Sequence, residues 1–422
     1  MGKDEPYPTS VVVIGGGIAG LMSAYHILKS QPGTKLTLLE KGDSIPYAYG
    51  TSTRSAACTR QQFGCRHNVE MSLYSTRFYE RFAEITGCEY RMLWQPGYLF
   101  LYRDKKLCQT AYSRVAKQQS WGLEDVRALS AEETIRQFPY VVNHGLAGST
   151  FCPTDGFLDP NLILQAMRSK IVEMGAEVRT GAKVSGIQFF GDRAIAVVLE
   201  GGGMIPCDFL INCSGVWSSR IAKKLGTDLP VMPEKRYLWT AKLSKGRDFD
   251  DQEYDRMPMT VCMGTRGKVP YVKPEPSKGE HILTVGCEHA VEPAWDFKDT
   301  DQDYVDPWYR PGVSDGYHED VWLQLCEWVD YAESLVFLPR VASGFYETTR
   351  DHNPFIDFDP GHSNVIHCAG FSGHGIMHGP AAGKIVADLL KYGDYTTFPS
   401  AEPNVGFAGY QAGTRETEAM KI

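Results

Sequence analysis

The sequence predicts an α/β protein in which one parallel-sheet domain is interrupted by a mixed or antiparallel sheet domain, and three observations predict it. An apolar run near the start breaks into a glycine-rich turn and a helix. From about residue 230 to 340 the chain changes to alternating, aromatic-rich segments. Near the end a second strand, glycine turn and helix returns. Strand–turn–helix order is what a parallel sheet needs for its crossovers, whereas alternation marks strands with one face on a core.

The first landmark is Val11-Val12-Val13-Ile14 followed by Gly15-Gly16-Gly17-Ile18-Ala19-Gly20, a G-x-G-x-x-G pattern. Gly15 lets the strand turn sharply, Gly17 presents no Cβ to a pyrophosphate, and Gly20 lets the helix lie close on the sheet. That helix carries Leu21, Ala24, Ile27 and Leu28 at helical spacing, so its free N–H groups and positive dipole end would meet the phosphates. A second strand, 35–39, ends in Glu40, about twenty residues past the last glycine, where an acid accepts hydrogen bonds from ribose hydroxyls. This is a Rossmann-type dinucleotide unit. Ile18 and Ala19 in the turn, and Lys41 after the acid, are counted with it. Glu40 argues for an unphosphorylated ribose, and NAD and FAD both remain open at this point.

Composition narrows the partners. With 43 basic against 51 acidic residues among 422, the net charge of −8 offers no general attraction to phosphate backbones, so nucleic acid is not expected. No apolar run reaches the ~18 residues that cross a bilayer, and the first ten residues hold no apolar or basic amphipathic leader, so no membrane span and a cytoplasmic protein are expected. The eleven cysteines are scattered, odd in number and never in C-x-x-C, which fits reduced thiols and neither a disulfide framework nor a zinc site.

The elements then follow in order. Residues 50–64 are polar and small, a loop able to wrap phosphates through Ser52, Thr53 and Arg54, or an ordinary exposed loop. A helical pattern runs from about 68 to 87, a strand covers 98–102 after the Pro96-Gly97 turn, and 107–138 carries helical stretches. Asp159 is placed as an N-cap with Pro160 at the first helical position, and Gly175 closes that helix. Residues 176–181 and 183–187 are expected to return as strands into the first sheet. Another strand is expected at 194–199, and 209–215 is a buried strand reaching a tight turn before a helix over 218–225. Strands are expected at 237–242, 269–272 and 281–285, with 246–256 and 293–315 as surface loops.

The closing element is a strand over 364–369, the turn Gly370-Phe371-Ser372-Gly373-His374-Gly375-Ile376-Met377-His378-Gly379-Pro380, and a helix expected over 381–390 with Pro380 near its start. Such a turn brings N–H groups and a helix dipole against an electron-rich carbonyl, as the pyrimidine edge of a reduced flavin requires. A metal role for His374 and His378 is the competing reading, but histidines at i and i+4 without a nearby carboxylate pair are poor zinc ligands, and no metal is expected.

At these residues the sequence resembles the D-amino-acid-oxidase-like FAD oxidoreductases, especially the group of sarcosine oxidases, dimethylglycine and proline dehydrogenase subunits and glycine oxidase. The resemblance is carried by Gly370-Phe-Ser-Gly-His-Gly375 and Arg60-Gln-Gln-Phe-Gly64, with Asp155-Gly-Phe-Leu-Asp-Pro160, Asn212-Cys-Ser-Gly-Val-Trp217 and Tyr271-Val-Lys-Pro274 in support. It implies FAD held by Gly15, Gly17, Gly20, Glu40, the 52–58 loop including Ala57 and Cys58, Val184, and Ser214, Gly215 and Trp217, with the ring over Gly373, His374, Gly375, Ile376 and Met377. It implies a domain order of 8–90, 148–226 and 341–395 for FAD binding, 91–147 and 227–340 for the substrate sheet, and 396–422 as a tail. Gly344 stands where monomeric sarcosine oxidases carry the cysteine that attaches flavin, so non-covalent FAD is expected. Their oxygen-activating lysine aligns near Thr284, against a fast oxidase reaction, and their second lysine aligns with Met377.

The reaction this implies is oxidation of the C–N bond of an amino acid or N-methyl amino acid, with hydride passing to flavin. Arg60 is expected to hold the substrate carboxylate, or to be a structural arginine beside the phosphate loop. Tyr271 or Tyr346 would position the amine, or pack as core residues. His374 is carried as a candidate catalytic residue against a plain turn role. The electron acceptor, oxygen, a quinone or a protein, is left open. The alternatives are a flavin-containing assembly or scaffold factor and an FAD subunit of a hetero-oligomeric dehydrogenase.

Overall fold

The structure, a computed structural model, describes residues 10–244, 251–264, 269–275, 281–288, 292–293 and 317–420. Strand β1 (Ser10–Ile14) has four consecutive buried residues, as a strand covered on both faces must. It pairs in parallel with β2 (Lys35–Leu39) on one side and with Phe209–Asn212 on the other. The sheet continues to Glu177–Arg179 beyond β2 and to His362–Ala369 beyond Phe209–Asn212, all parallel, and an antiparallel edge strand, Phe355–Asp359, closes it. Helix α1 (Ile18–Ser30) and the helix Gly375–Tyr392 pack together on this sheet. Their approach depends on Gly379 and Gly383, where a Cβ would run into Ile18 and the backbone of Met22.

The interrupting sheet is mixed. Met232–Leu243, Ile282–Cys287, Pro270–Pro274 and Met259–Met263 run antiparallel in that order, and Leu335–Thr348 pairs with the first. Met259–Met263 then joins Tyr98–Tyr102 in parallel, and Gly148–Cys152 and Arg127–Ser130 complete it. Its apolar underside packs Leu99, Leu101, Trp239, Val272, Val285 and Trp328 into a core of its own. Strand pairing therefore puts 148–152 with this sheet rather than with the segment 148–226, and the strand through residue 340 continues in it to Thr348. The division of the remaining segments stays our proposal.

Several expectations shift for local reasons. Residues 183–187 belong to Val184–Phe190, which folds against Arg193–Leu199 and Met204–Pro206 in a separate antiparallel sheet, so only Glu177–Arg179 enters the parallel one. Only Val184 of Val184–Phe190 is buried and its last three residues are exposed, which burial on both faces of a parallel sheet would not allow. The 68–87 pattern is two helices, α2 (Arg66–Glu80) and Phe82–Thr86, and the 107–138 stretch is Lys105–Ser120 and Ala131–Gln137 separated by a strand. The Asp159 cap forms as expected, its side chain accepting from the Leu162 N–H at 3.0 Å. The last helix begins at Gly375, not 381, which puts Pro380 inside it. Proline there leaves the Ile376 carbonyl without its helical donor, and the Tyr79 hydroxyl donates to it at 2.6 Å instead. Of the expected surface loops, 251–255 forms a short helix, and 246–250 and 294–315 lie outside the described residues. None of the eleven cysteines is in a disulfide, and among the described residues no helix is long and apolar enough to cross a membrane.

Candidate active site

The turn after β1 is shaped by steric exclusion. Gly15 has φ +111°, and a Cβ there would overlap the Cys213 carbonyl; a Cβ on Gly20 would overlap the carbonyl of Gly15. Gly17 is open by contrast, its nearest neighbour being the Ser52 hydroxyl at 3.3 Å from a built Cβ. The first turn of α1 has no side-chain cap, and Ile18 N–H donates to Ser52 Oγ at 3.1 Å. Glu40 is buried, its two oxygens accepting from Gly16 and Gly42 N–H at 2.8 Å each, with the Lys41 N–H a further donor. Burial pushes this carboxyl up, while those two N–H groups and Lys41 pull it back. The Lys41 ammonium stands 3.4 Å over the Trp217 ring.

One continuous cavity runs from this cradle to the mixed sheet. Its wall includes Gly15, Gly17, Ile18, Ala19, Glu40, Lys41, Ser52, Thr53, Arg54, Val184, Ser214, Gly215, Trp217, Gly344, Gly373, Gly375 and Ile376, with Tyr271 and Tyr346 at the far end. The residues fit a flavin dinucleotide on two grounds internal to the structure. The helix that begins the cradle has Gly17 at its N-cap, with no side chain of its own over the N–H groups, which suits an anion there. The Thr53 hydroxyl on the wall is buried with no hydrogen-bond partner among the described residues.

At the far end the strands aim rings into the cavity. Tyr271 faces Gly286 across the sheet register, where any Cβ would collide with its ring, and Tyr346 lies on Gly373, where the same holds. Burial pushes both phenols up, so they stay protonated at neutral pH. Arg236, on the neighbouring strand, sits 5.0 Å from the Tyr346 ring centroid. Its guanidinium pairs with Glu234 at 3.3 Å and donates to the Glu288 carbonyl, while its Nε has no partner among the described residues.

Six of the expected site residues stand off the wall. Gly20 is spent on packing against Gly15. Ala57, Cys58 and Met377 are buried behind the cavity, and burial pushes the Cys58 thiol up to about 11. Arg60 is 1% exposed and faces inward: it donates to the Gln62 carbonyl at 2.5 Å, to the Met420 carbonyl, and lies 3.2 Å from His374 Nε2. The Gln62 carbonyl and the Met420 carbonyl, in the segment 413–420 that threads back here, take two of its donors, so it stands off the cavity wall. Glu418 in that segment accepts from Gly64, Cys65 and Asn68. His374 is turned to Arg60 and Phe63, and burial together with Arg60 holds it well below the usual histidine range, so it is neutral and away from the wall. His378 bonds Ser72 at 2.9 Å. Thr284 stands opposite Lys273 in register, and Lys273 pairs with Glu275 at 3.0 Å.

Sequence reading missed Tyr47, Arg220, Arg236, Leu238 and Glu347 on the wall. None belongs to a glycine motif. Only Arg236 gave a signal, a cation inside an alternating strand.

The family model described as FAD dependent oxidoreductase matches residues 10–389. The chain is 26% identical over 435 residues to FAD-dependent oxidoreductase domain-containing protein 1 of Xenopus laevis, covering 94% of this chain and 82% of that one. It is 24% identical over 386 residues to monomeric sarcosine oxidase of a Bacillus species, covering 91% and 92%. Among solved structures, L-proline dehydrogenase from P. horikoshii superposes with a TM-score of 0.81 at 24% identity over 98% of this chain and all of that one, a likeness of fold. With the glycine cradle, the buried acid at the end of β2 and the match across nearly its whole length, this chain belongs to the FAD-dependent oxidoreductase family and is an enzyme of that class.

Proposed function

We propose that the enzyme oxidises the C–N bond of a small amino acid or N-methyl amino acid, binding FAD non-covalently along the cavity wall from Gly15 to Ile376. Bound FAD supplies a two-electron acceptor for the hydride. The observation that carries the substrate class is the group at the far end of the cavity, one guanidinium and two protonated phenols converging on the turn at Gly373. Arg236 binds the carboxylate through its Nε–H, which has no partner among the described residues, while its terminal nitrogens donate to the Glu288 carbonyl and to Glu234. Tyr271 and Tyr346 hold the amine by hydrogen bonds and do not act as bases, since both keep their protons. Leu238 and the apolar wall exclude water from the reacting bond. Arg60 braces the C-terminal segment against His374, one step removed from the substrate. Gly344 offers no thiol for a covalent link.

The relatives named sarcosine oxidase and, by fold, proline dehydrogenase support an amine of this kind. The free cysteines support a reducing compartment such as the cytoplasm. The test is anaerobic mixing of the flavin-loaded protein with proline, sarcosine, glycine and D-amino acids. Loss of the flavin's visible absorbance with one of them supports the reading. A flavin inert to the whole panel, in a protein that holds a stable partner, supports the assembly-factor alternative instead.

A further inference from the structure

Glu347 is a buried carboxyl that the function described above does not use. It lines the cavity beside Gly344 and Tyr346, and among the described residues no ion pair includes it. A carboxylate buried without a cation costs several kcal/mol unless it is hydrogen-bonded or protonated. Its partners are all main chain: Oε2 accepts from Gly370 N–H at 3.0 Å and the carboxyl also takes Phe371 N–H, while its own carbonyl accepts from Ser372 N–H at 3.0 Å. One residue therefore holds three successive positions of the turn that leads to Gly373 and the last helix. Gly370 and Gly373 take φ +84° and +89° as glycine readily does, but Ser372 between them is a non-glycine residue at φ +51°, a cost that the hydrogen bonds to Glu347 help to hold.

The surroundings leave this carboxyl alone at its edge. From the strand His362–Ala369 the Cys368 thiol faces it, and burial with its neighbour Cys213 holds that thiol protonated. Its partner on the strand Met232–Leu243 is Pro233, without charge; of the charged side chains that follow there, Glu234 and Arg236 pair with each other and Lys235 lies over the Tyr237 ring. Gly215 and Gly375 complete the enclosure, each with a built Cβ 3.8 Å from a carboxyl oxygen. Two N–H donors favour the anion and desolvation favours the acid; burial wins and pushes the group up to about 7.

We propose that Glu347 is a positioning residue of the flavin site, fixing the 370–373 turn and taking up one proton from solvent when the flavin is reduced. The proposal rests on the reading that this turn faces the flavin ring. The electrons come from the substrate and the proton from water, so the carboxylate beside the cofactor becomes a carboxylic acid as negative charge arrives, and releases that proton on reoxidation.

The test is the flavin midpoint potential of the loaded protein between pH 5.5 and 8.5. In the wild type the potential should fall more steeply with pH above the point where Glu347 ionises, and in Glu347→Gln that extra slope should vanish. At the alkaline end the Gln variant should favour reduced flavin about tenfold more than wild type, about 30 mV for a two-electron couple, and at the acid end the two should coincide. Glu347→Asp should restore the extra slope. Should Glu347→Gln fail to fold, the wild type alone decides: its reduced-minus-oxidised infrared difference spectrum should gain a protonated-carboxyl band that shifts in heavy water. Parallel potential profiles, or no such band, overturn the proposal while leaving the functional reading intact. A protein that takes no flavin sinks both.

Discussion

The two ends of the cavity bind by different means. In the cradle between β1 and α1 the backbone is the binding surface, and side chains matter chiefly by their absence at Gly15, Gly17 and Gly20. At the mixed sheet the groups we propose to act are side chains, Arg236, Tyr271, Tyr346 and Glu347, brought together from separate strands. A backbone site of this kind has no room for a methyl where main chain packs on main chain, as at Gly15 and Gly20. A side-chain site is assembled by packing and loses function one group at a time. Substitutions at the first end should therefore act all-or-none, and at the second in graded fashion.

The largest effect should come from Gly20→Ala. The added methyl meets the Gly15 carbonyl, main chain that cannot step aside, and the expected loss is ~3 kcal/mol or more, over a hundredfold in flavin retention. The flavin-to-protein absorbance ratio after gel filtration reads it directly; near-normal loading would break the contrast at once.

Next is Arg236→Met, expected to cost about 2 kcal/mol or more in transition-state binding of a carboxylated amine, roughly thirtyfold in kcat/KM, with flavin content unchanged. The paired control is Arg60→Met, which should lower thermal stability through the released 413–420 segment more than it raises KM. If Arg60 alone governs KM, the clamp lies where the sequence resemblance put it and the assignment to Arg236 is wrong. Tyr346→Phe should be milder still, about 1 kcal/mol or severalfold in KM, for loss of one hydrogen bond over a ring that keeps its place on Gly373.

The seam between the two ends makes a pH prediction. His26 on α1 and His378 on the last helix are fully buried, and desolvation pushes each down to about 3. The unfolded chain protonates them near 6.5, so between 6.5 and 3 it binds more protons than the fold does, and stability must fall as pH falls through that window. Above pH 4 this is partly offset by Glu347 and Asp155, raised to about 7 and about 6, whose acids favour the fold as pH drops. Below pH 4 the offset from this pair ends, and each histidine should cost up to about 1.4 kcal/mol per pH unit. His26→Phe, among the rings of Tyr25, Tyr74 and Phe78, should flatten that acid limb with little change at pH 7, as denaturation midpoints measured from pH 3 to 7 would show.

The cradle was legible because its sequence signals are local. The turn, the Glu40 position and the Asp159 cap are each marked by a short pattern and each formed as read, although the turn also closes on the distant Cys213 carbonyl. Arg60 shows the opposite. Its sequence context pointed to a substrate clamp, but one of its donors goes to a carbonyl 360 residues away, which no local pattern encodes. The last helix starts at Gly375 because the Tyr79 hydroxyl serves the carbonyl that Pro380 leaves bare, again a distant partner.

What the chain's order alone determined is the dinucleotide unit and the alternation of parallel and antiparallel segments, since strand period, helix period and the steric demands of glycine act over short stretches. What only the folded molecule decided is which charged groups face the cavity and which face inward. The protonation of Glu347, the inward turn of Arg60 and the exposure of Arg236 to the cavity all depend on desolvation and on contacts across the sheets, and both come into being only when distant segments meet.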